Sequence, residues 1–204
     1  MIFYYNKSGI GDTLIVYKND ATKTEFERKE DVARIVDLET KRTTGYNFFN
    51  ISQVCPLEDG QVPADAALLS LLNDKLKRAG FDEQLTVDEE PAIVTGFVQE
   101  MKKHPDSDHM HVCKVDIGTR TLQIVCGAPN IDQGQHVVVA RIGALMPDGM
   151  IIRPTVLRGI PSDGMICSAR ELALPNAPQR RGILVLDRES VPGRDFFADF
   201  KQHA

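Results

Sequence analysis

The sequence predicts an α+β domain followed by an all-β domain, the second folded as a small closed barrel of about five strands. Three observations carry this. Short β-branched or aromatic runs and one 16-residue amphipathic stretch fill the first 80 residues, an acid-rich break follows at 82–91, and beyond it apolar strand patterns succeed one another almost without interruption.

Residues 13–18 (TLIVYK), 32–37 (VARIVD) and 45–52 (GYNFFNIS) are read as strands, because they are rich in β-branched or aromatic residues and separated by polar turns. A period of two in the third would place Tyr46 and Phe48 on one face and Phe49 and Ile51 on the other. Residues 65–80 (DAALLSLLNDKLKRAG) read as a helix: Leu68, Leu69, Leu72, Leu76 and Ala79 share one face, Asp65 can cap the start and Gly80 ends it. Residues 82–91 (DEQLTVDEEP) carry five acids, no base and a closing proline, which predicts a boundary between a domain over 1–88 and one over 92–200. The second domain reads as strands at AIVTGFVQEM (92–101), HVCKVDIG (111–118), LQIVCGAP (122–129), HVVVARIGALM (136–146), GMIIRPTVLRG (149–159) and GMICS (164–168). Within it only SARELAL (168–174) reads as helical, opened by the capping pair Ser168 and Glu171.

With 42% hydrophobic and 26% charged residues, the 204-residue chain has the makings of a well-cored soluble protein. No apolar run approaches the roughly 18 residues that a membrane span needs, and MIFYYNKSGIGD lacks the order of a signal peptide, so a cytoplasmic protein without membrane association is expected. Cys55, Cys113, Cys126 and Cys167 are widely spaced with no CxxC pair, which suits reduced, mostly buried thiols. The net charge of −5 argues against indiscriminate nucleic-acid binding. The balance is uneven, however: residues 1–88 hold 11 basic and 15 acidic side chains, whereas 92–182 hold 10 basic and 8 acidic.

HPDSDHMHVC (104–113) gathers His104, His109 and His111 with Asp106 and Cys113, a candidate metal shell. The spacing matches no common ligand pattern, and the same residues are accounted for by a turn whose Asp and Ser side chains bond local N–H groups ahead of a strand. No metal or cofactor is expected. The cysteines sit in or beside apolar strands without an evident base, and there is no phosphate-binding loop, so no enzymatic reading has positive support.

An ordered series remains: HPDSD (104–108), VDIG (115–118), QIVCGAPNI (123–131), PDGMII (147–152) and LRGIPSDGMICS (157–168). In this order the motifs resemble the tRNA-binding OB-fold domain, found in the N-terminal part of bacterial phenylalanyl-tRNA synthetase β chains, in many methionyl-tRNA synthetases and in free-standing tRNA-binding proteins. The resemblance covers about residues 92–182, and the two-domain layout with GYNFFNIS resembles the YtpR-type bacterial proteins. It implies an OB-fold, a five-stranded Greek-key barrel, that recognises folded tRNA without catalysis. An interaction adaptor for a synthetase or another translation factor, without direct RNA binding, is the alternative.

The resemblance also implies site residues. Asn130, Ser162, Met165 and Ser168 match positions at or near the family's RNA-binding face; turn formation at Asn130 and Ser162, core packing at Met165 and helix capping at Ser168 are the structural alternatives. Lys114, Arg141, Arg153 and Arg158 are candidates for phosphate pairing, or else solvated charges. His109 stands where the family usually has a base, which predicts weaker, pH-dependent contact. Phe97, the sole aromatic residue between 92 and 182, is expected in the core, leaving backbone and shape contacts rather than base stacking. Candidate partners are therefore tRNA and an aminoacyl-tRNA synthetase. Phe196, Phe197 and Phe200 could support a homodimer or pack on the first domain.

Overall fold

A computed structural model describes residues 1–86 and 90–203. The chain divides into two compact units, Met1–Glu89 and Glu90–Ala204. Residues 87–89, at the centre of the expected acid-rich boundary, lie outside the described residues. The described secondary structure is mostly β with few helices.

The first unit runs β1 (Ile2–Tyr5), α1 (Lys7–Ile10), β2 (Thr13–Tyr17), β3 (Thr24–Lys29), β4 (Val32–Asp37), β5 (Thr43–Phe49), a 3-10 turn (Ile51–Gln53), β6 (Gly60–Gln61) and α2 (Ala66–Arg78). The strands form one antiparallel sheet ordered β3-β4-β5-β2-β1-β6. Asp65 caps α2 by accepting the Leu68 N–H at 2.7 Å, and Lys75, Lys77 and Arg78 in the last turn face the negative end of the helix dipole. Leu68, Leu69, Leu72 and Leu76 pack with Phe3, Tyr5, Leu14, Val16, Val32, Tyr46 and Phe48 in one core. The opposite face is defined by register: Phe26 stands opposite Ile35 and then Gly45, and Arg28 opposite Ala33, Asn47, Ile15 and Tyr4 in turn.

The expected alternation over 45–52 stops at Phe49. Asn50 adopts a left-handed conformation (φ 52°), which swings Ile51 back into the core beside Tyr46 and Phe48 instead of placing it on the outer face. Beyond α2, Glu83 is drawn to the sheet by Thr43, whose hydroxyl donates to it, and by Lys18 at 3.3 Å.

The second unit runs β7 (Ile93–Lys103), β8 (His111–Asp116), β9 (Thr121–Cys126), β10 (His136–Arg141), β11 (Thr155–Leu157), β12 (Ile160–Ser162), β13 (Gly164–Ile166), β14 (Val185–Leu186) and α3 (Phe196–His203). Its ladder is ordered β13-β10-β7-β8-β9, with β14 also on β10, and it stays open between β9 and β13. The gap is bridged by single bonds: the Asp163 N–H donates to the Gln123 carbonyl at 2.8 Å, and the Val125 N–H donates to the Ser162 hydroxyl at 3.0 Å. Gly96 lets β7 pass between its neighbours, since a Cβ there would lie 2.9 Å from both Val115 Cγ1 and Val139 Cγ2.

Two local expectations change. Within 149–159 only Thr155–Leu157 is strand, preceded by Pro154, which has no N–H to give to a ladder. Residues 168–174 form turns instead of a helix: the Ser168–Glu171 capping pair is made, but Ala173 turns left-handed (φ 51°) and Pro175 follows. Phe196, Phe197 and Phe200 pack into the second unit's own core with Ile93, Val138 and Met146.

Candidate nucleic-acid interface

The loop at 104–110 is stitched to the β11–β12 hairpin. His104 is buried, its Nδ1 accepts the Asp106 N–H at 3.1 Å, and its Nε2 lies 3.0 Å from the Leu157 carbonyl. An N–H can only donate, so Nδ1 is unprotonated and Nε2 carries the proton that Leu157 accepts. The hairpin turns at Arg158 and Gly159, both left-handed (φ 46° and 83°) as a two-residue hairpin loop of this type requires. The Arg158 guanidinium donates back to the Asp106 carbonyl. Both ring nitrogens of His104 thus serve this loop. Among the described residues no group of three or more His, Cys, Asp or Glu side chains is placed to hold a metal.

A basic hollow forms where the loop after residue 168 folds back on the segment after β9. Asn130 holds it with both ends of its amide: Nδ2 donates to the Ile183 carbonyl at 3.0 Å, and Oδ1 accepts the Ile183 N–H at 2.8 Å. Gly182 (φ 150°) permits this closeness, since a Cβ there would stand 2.8 Å from Asn130 Oδ1. The resulting hollow of about 370 Å³ is lined by Pro129, Asn130, Ser168, Arg170, Arg180 and Arg181, among others. An adjoining hollow of about 310 Å³ shares Ser168, Arg170 and Arg181 and reaches Met165. Arg170, Arg180 and Arg181 are exposed, and among the described residues none of them pairs with a carboxylate.

The structure therefore brings Asn130, Met165 and Ser168 together and adds three arginines that the motifs alone did not single out. Arg180 and Arg181 have one sequence signal, the doublet in QRRG (179–182) before a turn glycine, and Arg170 has none. Ser168 lines the hollow with its hydroxyl bound to Glu171 Oε2 at 2.6 Å, and half-buried Met165 packs against the core. Ser162 lies elsewhere, 2% exposed, its hydroxyl accepting from Val125 and donating to the Gly164 carbonyl at 3.2 Å.

The remaining candidates are dispersed. Lys114 is exposed on β8 and donates to Gln123 Oε1 at 3.0 Å, and Gln123 Nε2 in turn donates to the Pro161 carbonyl at 2.9 Å. His109 is exposed on the 104–110 loop and Arg153 is exposed ahead of β11, donating to the Ile151 carbonyl at 3.3 Å. Arg141 is held inside the unit: its side chain is 12% exposed, it pairs with Glu90, and it donates to the Pro91 carbonyl at 2.9 Å. The hydrogen bond and charge of Arg120, with the nearby Arg141 charge, hold the Glu90 carboxyl below its ordinary range. Phe97 departs from the expected core position: it is half-buried on β7 with its ring 4.9 Å from that of His136. All four cysteines are free; burial pushes the Cys113 and Cys167 thiols up to about 12, so neither is a nucleophile near neutral pH.

Comparison with known proteins agrees with the division into two units. A family model described as "Putative tRNA binding domain" matches residues 93–195, and one described as a domain of unknown function matches 19–88. The chain is 49% identical over 196 residues to "Putative tRNA-binding protein YtpR" of Bacillus subtilis (strain 168), covering 95% of this chain and 98% of that one. It is 59% identical over 95 residues to the phenylalanine–tRNA ligase beta subunit of Sulfurimonas denitrificans, which is 47% of this chain but 12% of the relative. A solved MetRS-related protein from Pyrococcus horikoshii is 20% identical with a TM-score of 0.36, over 54% of this chain and 94% of that one. On the match over 93–195 and the likeness to YtpR along nearly the whole length of both proteins, the chain belongs to the tRNA-binding-domain family.

Proposed function

We propose that the protein is a non-catalytic tRNA-binding protein whose second unit holds folded tRNA by backbone and shape contacts. The observation that carries this is the hollow in which Arg170, Arg180 and Arg181 stand around Asn130 and Ser168, paired with no carboxylate among the described residues. Guanidinium groups with free donors suit phosphate oxygens, and the small polar groups beside them suit ribose hydroxyls. The family match and the relative named for tRNA binding support the same reading. Lys114, His109, Arg153 and Arg158 form the outlying contacts in this proposal, and Ser162 and Arg141 act from beneath the surface.

Five strands ordered β13-β10-β7-β8-β9, with single bonds across the open seam, support an OB-type Greek-key barrel. The sheet and α2 of the first unit support an α+β domain. We take 1–88 and 92–200 as the two domains.

Gel retardation of the purified protein at low salt against bulk tRNA, duplex DNA and unstructured RNA tests the function. Retention of tRNA at the lowest protein concentration is expected. Equal retardation of all three, or none of tRNA, overturns it, and a stable synthetase complex insensitive to ribonuclease points to an adaptor instead.

A further inference from the structure

The first unit carries an exposed aromatic surface that the tRNA-binding reading leaves unused. On the sheet face away from α2, Phe26 is 73% exposed, and the Arg28 guanidinium lies 4.0 Å from the centre of the Phe49 ring. These three side chains and Asn47 line an open hollow of about 420 Å³.

An edge strand normally keeps large apolar side chains off its solvent face. Here β3 places Phe26 there and sends its acids elsewhere. Glu27 alternates to the opposite side, where it pairs with Lys29 at 3.1 Å and Arg34 at 3.5 Å. Glu25 reaches the rim of the hollow but is held by Lys41 at 2.6 Å. The charge left to act over the face is that of Arg28, which among the described residues pairs with no carboxylate and uses only Nε, on the Glu30 carbonyl at 3.1 Å.

We infer that this face is a stacking platform for unpaired nucleotides of RNA. The juxtaposition that carries the inference is Phe26 and the Arg28-covered Phe49 ring around one hollow with Asn47. A base has two apolar faces that stack on a phenylalanine ring, polar edges that an amide can bond, and a phosphate that a guanidinium attracts. A purely apolar partner would leave Asn47 and Arg28 without a match, whereas an RNA strand satisfies both. The inference rests on the proposed tRNA-binding reading, which makes RNA the class of ligand that this chain already meets.

The test uses the full chain and fluorescence anisotropy with two probes, a short labelled oligouridylate and unfractionated tRNA. Phe26→Ala should weaken oligouridylate binding about tenfold, the loss of one stacked base, while Phe26→Tyr, which keeps the ring, should bind as the unaltered chain does. Because Phe26 lies outside the core, the urea midpoint of Phe26→Ala should be unchanged. Arg181→Ala should weaken tRNA binding and leave the loss caused by Phe26→Ala on oligouridylate intact. Undiminished oligouridylate binding by Phe26→Ala, with tRNA still bound, overturns the platform and leaves the tRNA reading standing. Absence of any RNA binding by the unaltered chain overturns both. A dimer that sediments as a monomer after Phe26→Ala assigns the face to a second copy and overturns the platform.

Discussion

His104 reaches across 53 residues of sequence to the Leu157 carbonyl, 3.0 Å from its Nε2, and so pins the β11–β12 hairpin to the loop that precedes β8. The imidazole is 2% exposed and its second nitrogen accepts the Asp106 N–H. Replacing it removes two bonds and leaves a buried void.

His104→Ala should therefore destabilise the second unit by about 2–3 kcal/mol, from the unpaired backbone groups and the void together. Urea unfolding followed by circular dichroism gives the loss. Amide exchange in the 155–162 hairpin should rise more than in β7, and equal acceleration in both would remove the pinning role.

Ser162→Ala separates structure from RNA contact. The hydroxyl accepts the Val125 N–H and so ties the end of β12 to β9, and its removal should cost about 1–3 kcal/mol of stability. At 2% exposure the side chain has little surface to offer RNA, so tRNA affinity of the folded protein should stay within about twofold. A large loss of affinity at unchanged stability would place Ser162 at the interface.

Arg170→Ala and Arg181→Ala should each weaken tRNA binding roughly tenfold, about 1.5 kcal/mol for one charge-assisted hydrogen bond to phosphate. The slope of log K against log salt should fall by about one for each phosphate left without its arginine. Arg141→Ala should instead lower stability, because it releases Glu90 and the Pro91 carbonyl. Thermal melts and a salt titration distinguish the two behaviours.

Acid should unfold the first unit with a contribution from Glu83. Burial alone would raise this carboxyl above its ordinary value of 4.5, but hydrogen bonds from neighbours including Thr43 and Lys18, with the Lys18 charge, hold it lower. A lowered folded pKa means stability that is fully present above the ordinary value and is lost as pH falls through the folded one. Stability should therefore decline below about pH 4.5. Glu83→Gln should flatten that decline, and an unaltered slope in urea midpoints would refute the assignment.

Periodic elements were legible from the residues alone. Leu68, Leu72 and Leu76 of α2 sit one helical turn apart, and the β-branched cores of the runs that became β7 to β10, bounded by turn residues, read as strand. What escaped has physical reasons. β3 is mostly charged and, apart from half-buried Lys29, exposed, because an edge strand packs little. The Ser168–Glu171 pair read as a helix start since the capping bonds are real, yet nothing local reveals that Ala173 turns left-handed. Arg170 and Arg181 are eleven residues apart in an irregular stretch and meet only because Asn130, far upstream, draws Ile183 back. At 104–113 the expected turn bonds from Asp and Ser side chains are made in part: the Ser107 hydroxyl accepts the His109 N–H at 3.5 Å, but the Asp106 N–H is taken by the His104 ring, whose distant acceptor Leu157 could not be read from spacing.

The Asn130 amide imitates a peptide group, giving Ile183 the donor and acceptor that a neighbouring strand would supply. The loop between Ser168 and Gly182 is thus anchored at its far end by one side chain and near its start by Leu172, which is buried in the unit's core with Leu174 packed against it. That makes the largely exposed stretch 175–181 an exchangeable cassette: its length and charge can be redrawn, by drift or by design, to suit a different nucleic-acid shape, provided Leu172, the asparagine and the glycine that lies against it are kept.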